Sequence, residues 1–336
     1  MKTLAFLLIF ATARPGYRYE FPRDHGPHRD FKTEWWYFTG NLFDPSGRRF
    51  GFELTFFRQA VGEPRAALHP WDAPDLYLAH LTLSDVAGQR FHHFERLQRE
   101  GPGLAGATPH KVWNGNWSAS PSELHATSEA FRLDLSFRSA KPPVIHGVNG
   151  VSQKAPGPGQ ASHYISLTRL LASGTLRYEN SEFRLTGSAW MDHEFFTHQL
   201  TPEQTGWDWI SIQLEDNTEL MLFRLRRKDG SVDPHSAGTF IDAAGRATHL
   251  GVGDFDLAPG AAWNGYPVSW RISVPSLALR LDASTPQKNQ ELRARSRYTP
   301  DYWEGAMDFS GSRATRRLRG VGYLEMTGYR GAAPRL

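Results

Sequence analysis

Short runs of aromatic and β-branched residues with a period of two, cut every few residues by Gly, Pro, Asn and Asp, constrain this chain to antiparallel β-structure. Glu34-Trp35-Trp36-Tyr37-Phe38-Thr39 and the run Phe50 to Phe57 flank Asp44-Pro45-Ser46-Gly47, a spacing that predicts a hairpin. Further strands are expected at 76–84, 89–95, 123–127, 131–137, 162–170, 175–178 and 183–191. A second series follows at 207–214, 219–226, 238–241, 247–250, 266–272, 277–281, 302–309 and 319–327. Residues 148–160 read as an exposed loop, the glycines of 101–106 as turns, and 198–204 as one helical turn at most. The expectation is an all-β chain of two consecutive antiparallel barrels, 14–200 and 201–336. About eight strands each suffices for a filled or ligand-holding interior.

Composition narrows the partners. Across 336 residues the net charge is only +3, with both signs interspersed, so nucleic acid is not expected. The one basic cluster, Arg313 with Arg316, Arg317 and Arg319, reads as a solvated turn. Aromatics make up 13%, including 11 Trp, which suits wide cores and apolar ligand walls. With no Cys, disulfides, thiolate metal sites and Cys nucleophiles are excluded. Lys2, the apolar run 4–10 and Ala11-Thr12-Ala13 predict a short secretory signal, 1–13, and hence a periplasmic or secreted protein.

Several segments carry a resemblance. Phe21-Pro22-Arg23-Asp24-His25, Lys32 to Leu42, Phe50 to Arg58, Ser162-His163-Tyr164 through Leu170 and Trp190-Met191-Asp192-His193-Glu194-Phe195 resemble the AttH-like proteins. So do Gly206-Trp207-Asp208-Trp209, Tyr302-Trp303-Glu304-Gly305 and Gly320 to Tyr329, in order along nearly the whole chain. That family is related to the carotenoid hydratases and carries the label of secreted hydrolases. The resemblance implies two lipocalin-like, calycin-type barrels and a place in lipid or isoprenoid metabolism. In the hydratases an aspartate in a similar strand is the proposed acid; the matching position is Asp192, preceded by Trp190 where they carry Tyr. Their His-x-Trp pair falls on His163 and Ile165. The lost ring and hydroxyl weigh against carotenoids as the substrate.

Strand parity puts Trp190, Asp192 and Glu194 on one face and His193 on the other. If that face lines a hollow in the first barrel, two carboxyl groups share an apolar cavity, where burial and mutual repulsion raise a carboxyl pKa. A proton held there suits protonation of an alkene. The candidate catalytic residues are Asp192, His163 and Glu194; the candidate ligand contacts are Trp36, Trp190, Trp207, Trp209, Glu34 and Trp303. The structural alternative has Asp192 bracing the turn between domains, paired with Arg169. Glu34, Glu304 and Glu325 read as structural, each paired with an arginine, Arg58 and Arg169 being the natural partners, or accepting backbone N–H groups. His25, His28, His92 and His93 read as surface residues. No cofactor motif, zinc-helix spacing or Gly-x-Ser-x-Gly elbow is present, so neither cofactor nor metal is expected.

Three functions follow. The first is a hydratase-like lyase, with isomerase or cyclase chemistry as variants, acting on an apolar lipid or isoprenoid. The second is a periplasmic lipid carrier, and a secreted hydrolase of unknown substrate stands beside it. The third is an envelope-assembly factor with no open cavity. The expected partner is a hydrophobic small molecule, with peripheral contact to a membrane and a membrane transport system beside it.

Overall fold

The computed structural model describes residues 10–61, 73–198, 200–294 and 301–330. The apolar run ascribed to a signal lies largely outside them. The chain is all-β, with two single-turn 3-10 segments among the described residues, Arg23–His25 and Pro275–Leu277. It forms two consecutive barrels, the first nearly closed and the second a half-barrel.

The first sheet contains β1 (Thr33–Phe43), β2 (Arg49–Ala60), β3 (Asp75–Asp85), β4 (Arg90–Arg99), β5 (Ala105–Thr108), β6 (Lys111–Asn114), β7 (Trp117–Ala119), β8 (Glu123–Thr127), β9 (Phe131–Ser139), β10 (Val144–Ile145), β11 (Ser152–Gln153), β12 (Ala161–Tyr178) and β13 (Ser181–His198). Its order is β4-β3-β2-β1-β13-β12-β9-β8-β7-β6-β5. The second contains β14 (Gln204–Leu214), β15 (Glu219–Arg227), β16 (Ala237–Ile241), β17 (Ala247–Gly251), β18 (Asp256–Pro259), β19 (Ala262–Trp263), β20 (Tyr266–Pro267), β21 (Ser269–Val274), β22 (Leu279–Ser284), β23 (Glu291–Leu292), β24 (Tyr302–Arg313) and β25 (Arg316–Met326). Here the order runs β17-β16-β15-β14-β25-β24-β22-β21-β18; β19 and β20 pair separately. The predicted hairpin is present, with Asp44 Oδ1 accepting the Ser46 and Arg48 amides inside the turn.

Alternation sorts the side chains into two environments. Trp36, Phe38 and Leu42 of β1, with Phe52, Leu54 and Phe56 of β2, enter the first barrel and fill it. Trp35 and Tyr37 of β1, with Glu53, Thr55 and Phe57 of β2, point outward against the second half. Both sides of these strands are therefore covered, which explains why Trp35 to Phe38 carry large rings at consecutive positions. At Gly51 the halves approach so closely that a Cβ would lie 2.7 Å from the Tyr323 hydroxyl oxygen. Buried polar contacts lock the junction. Lys141 Nζ pairs with Glu219 and donates to the Asp242 carbonyl, and Gln213 Nε2 donates to the Thr168 and Ala189 carbonyls.

Two expectations are corrected. The segment 148–160 is not simply an exposed loop: Ser152, Lys154 and Ala155 are buried, and Lys154 packs on Phe223 of the second half. No helical turn forms near 198–204 among the described residues.

Candidate active site

The cavity lies between the barrels, while a cluster of buried aliphatic and aromatic side chains occupies the interior of the first one. The outward sides of β1, β2, β3, β12 and β13 face β14, β15, β24 and β25 across it. About 90 Å³ is open to the centre of a water-sized sphere, room for several waters. Trp35, Phe57, Trp207, Trp209 and Phe223 supply apolar wall.

Asp192 is buried on this wall, as parity predicts once the correct side of β13 is known. It accepts from the Tyr164 and Ser166 hydroxyls and, at 2.6 Å, from the Trp190 indole N–H. Trp209 Nε1 in turn donates to the Tyr164 oxygen at 2.8 Å. Among the described residues no cationic side chain pairs with Asp192. Arg169, its expected brace, bonds Glu219 instead. Burial raises the Asp192 carboxyl from 3.8 to about 7; the three donors oppose that rise and the neighbouring Glu194 adds to it. Behind Ser166 a polar row continues: His146 Nε2 lies 2.6 Å from Ser166 Oγ, and its Nδ1 2.8 Å from Thr239 Oγ1. His146 and Thr239 also line a separate cleft on the opposite side. Burial depresses the His146 imidazole to about 3, so it is neutral and has a lone pair to accept with.

Glu194 accepts from the Ser162 hydroxyl and lies 3.1 Å from Lys154 Nζ. That ammonium sits 4.0 Å from the Phe223 ring centroid and 5.1 Å from that of Tyr164. Three more acids line the same space. Glu304 accepts from the Tyr37 hydroxyl at 2.6 Å, Glu325 from the Trp207 indole at 3.0 Å, and Glu53 from the Thr55 hydroxyl at 2.8 Å. Burial raises all three, Glu53 to about 7 and Glu325 to about 8, and the charges of neighbouring acids add to the rise in Glu304 and Glu325. The expectation that Glu304 and Glu325 pair with arginine is therefore wrong; indole and phenol donors hold them.

The other predicted residues divide between those gathered with Asp192 and those placed elsewhere. Trp207, Trp209 and Glu194 line the cavity, and Trp190 braces Asp192 from behind. His163 faces the opposite side of β12, where its Nδ1 approaches the Gly150 carbonyl oxygen at 3.0 Å and its ring packs on Tyr17 and Phe195. It cannot serve a reaction at Asp192. Trp36 lies in the first core and donates to the His25 carbonyl; Trp303 lies in the second core and donates to the Lys288 carbonyl. Neither touches the cavity.

Glu34 belongs to a second buried polar group at the N-terminal end of β1. Arg58 Nε donates to it at 3.0 Å, His28 Nδ1 lies 2.7 Å from it and His193 Nε2 2.8 Å from it. Burial pushes the Glu34 carboxyl up, but His28, His193 and Arg58 outweigh it and hold the group well below its ordinary range. His28 is thus not a surface residue. The trio His28, Glu34 and His193 offers three atoms close enough to grip a metal ion, which no sequence motif announced. The donors do not favour that use. The carboxylate already accepts from Arg58 and the His28 amide, and a divalent cation would sit beside the guanidinium.

Sequence reasoning missed Tyr164, Ser166, His146 and Lys154. Tyr164 and Ser166 share parity with Ser162 and stand beside Glu194 and Asp192 across the β12–β13 ladder, so the register alone would have placed them.

The AttH-like family model matches residues 12–329. A candidate AttH from Nitrosomonas europaea, known from a crystal structure, is 33% identical, with a TM-score of 0.85 over 96% of this chain and all of that one. Kievitone hydratase from Nectria haematococca superposes with a TM-score of 0.72 at 13% identity, over 96% of this chain and 97% of its own. CghA with Sch210972 gives 0.56 at 13% identity, over 97% of each chain. At such identities the last two share the fold. No curated protein sequence matches.

Proposed function

This chain belongs to the AttH-like family, and from that premise we propose that it is a hydratase-like lyase using Asp192 to protonate a carbon–carbon double bond in an apolar substrate. One observation carries the reading: a carboxyl group without a cationic partner, buried on the wall of an apolar cavity and held near 7. Such a group keeps its proton close to neutrality and loses it readily, as a general acid must.

Tyr164, Ser166 and Trp190 orient the carboxyl. Protonation of a trisubstituted alkene moves the proton from Asp192 to carbon and leaves a tertiary cation. The Trp207, Trp209 and Tyr164 rings stabilise it through their π faces, by about 2 kcal/mol for each desolvated contact. Glu194, rather than His163, is placed to take the proton released when water adds, with Lys154 balancing its charge. The proton returns to Asp192 after the alcohol leaves. The substrate class, lipid- or isoprenoid-like, rests on the apolar wall. Kievitone hydratase, a fold relative, is named for the same type of reaction. Lys2, the apolar run 4–10 and Ala11-Thr12-Ala13 support a place in the periplasm or outside the cell, with contact to a membrane only at its surface.

Lipids extracted from the purified protein, identified by mass spectrometry, supply the candidate substrates. Incubation in ¹⁸O-water should then yield a product that carries one labelled water, and Asp192→Asn should not form it. Product formation by the Asn variant at the native rate would end the proposal.

A further inference from the structure

We propose that the cavity also binds a hydrophobic organic cation, an ammonium group carried on an apolar body, at the end formed by Glu53, Glu304 and Glu325. Among the described residues the lining holds five carboxyl side chains, these three with Asp192 and Glu194, against one ammonium, Lys154. Lys154 is already engaged. It pairs with Glu194 and rests on the ring faces of Phe223 and Tyr164. That end of the cavity therefore shows how this wall holds a positive charge: one carboxylate and two aromatic faces.

The carboxyls of Glu53, Glu304 and Glu325 line the same cavity, and among the described residues none has a cationic partner. Glu53 and Glu304 are each 1% exposed, and the Oε2 atom of each has no hydrogen-bond partner among the described residues. Aromatic side chains hold them: Tyr37 donates to Glu304, Tyr302 to Glu53 at 3.3 Å and Trp207 to Glu325. The remaining nearby base, His80, lies 2.6 Å from the Tyr302 hydroxyl, and burial depresses it to about 3, so it brings no positive charge. A buried carboxyl in such surroundings either keeps its proton or meets a cation. An entering ammonium takes the place of a proton, so binding releases that proton to the buffer and no bond is made or broken in the ligand. The inference concerns ground-state binding and needs no turnover, so it stands or falls apart from the hydration reading.

Isothermal titration of the full chain with octyltrimethylammonium, octanol and octyl sulfate, each in two buffers of different ionisation enthalpy, measures both affinity and proton release. The cation should bind at least tenfold more tightly than the alcohol, with release of about one proton, and the sulfate should not bind. Glu304→Gln and Glu53→Gln keep the side-chain shape; each should weaken the cation at least tenfold and leave the alcohol within about twofold. Circular dichroism identifies any variant that has not folded, and the proton count on the unmodified protein decides the matter without variants. Equal affinity for cation and alcohol, or cation binding without proton release, overturns the proposal.

Discussion

Replacing Asp192 by Asn should flatten the pH dependence of folding stability. In the folded chain the carboxyl is held at about 7, while its ordinary value is 3.8. Between those values the unfolded chain gives up the proton and the folded chain keeps it, so stability falls as pH rises, and the loss is complete only above the folded value. A difference of about three pH units corresponds to about 4 kcal/mol. The Asn variant retains the shape and the burial but cannot ionise. Between pH 4 and pH 8.5 its unfolding free energy should therefore fall by about 4 kcal/mol less than that of the native chain. Relief of Glu304 and Glu325, which feel the Asp192 charge, acts in the same direction. Urea unfolding at five or six pH values, with slopes compared at fixed ionic strength, reads this directly. Parallel curves would show that Asp192 ionises normally, and the case for a stored proton would fail.

Other outcomes follow from the same geometry. On a substrate identified by extraction, Asp192→Asn should lower kcat by about 100- to 10,000-fold, the usual range for loss of a general acid, while His163→Gln lowers it less than threefold; stopped assays under saturation separate the two. Ser166→Ala and His146→Phe interrupt the row behind Asp192 and should shift the midpoint of the pH–rate profile, with Ser166→Thr restoring it; unchanged profiles would show that the row is only packing. Glu34→Gln removes one of the two carboxylates that pair with the buried Arg58, the other being Asp75 at 3.0 Å, and should destabilise the fold by about 1–3 kcal/mol, measured by urea unfolding. At the N-terminus Ala13 is buried and the Ala11 amide donates to the Asp30 carbonyl at 2.7 Å. A chain starting at residue 14 should melt at a lower temperature than one starting at residue 10, measured by calorimetry at a fixed protein concentration.

Local patterning made the strands legible. Phe50 to Phe56 and Ile210 to Leu214 alternate cleanly, and the turns beside them carry Asp, Gly and Asn. Parity also grouped Trp190, Asp192 and Glu194 correctly. It could not say which side of β13 faces the barrel, because both sides of that strand are buried and apolar enough to serve as core. Trp36 on β1 and Trp303 on β24 face the same ambiguity, since both sides of those strands are buried around them; they pack inside the barrels. His163 was misplaced for another reason: the family motif suggested it, and its odd position on β12 puts it opposite Tyr164 and Ser166. Lys154 was hidden because a Gly- and Pro-rich segment gives no sign that a junction between barrels will cover it. The short strands β5 to β7 were missed since three or four residues carry too little periodicity to be read.

The stored proton on Asp192 is the claim on which the catalytic reading turns, and infrared spectroscopy sees it directly. The difference spectrum between the native chain and Asp192→Asn at pH 6 should contain the C=O stretch of a protonated, buried carboxylic acid, fading as the pH passes through about 7. A spectrum that shows only the carboxylate bands of Asp192 at pH 6 would contradict the account.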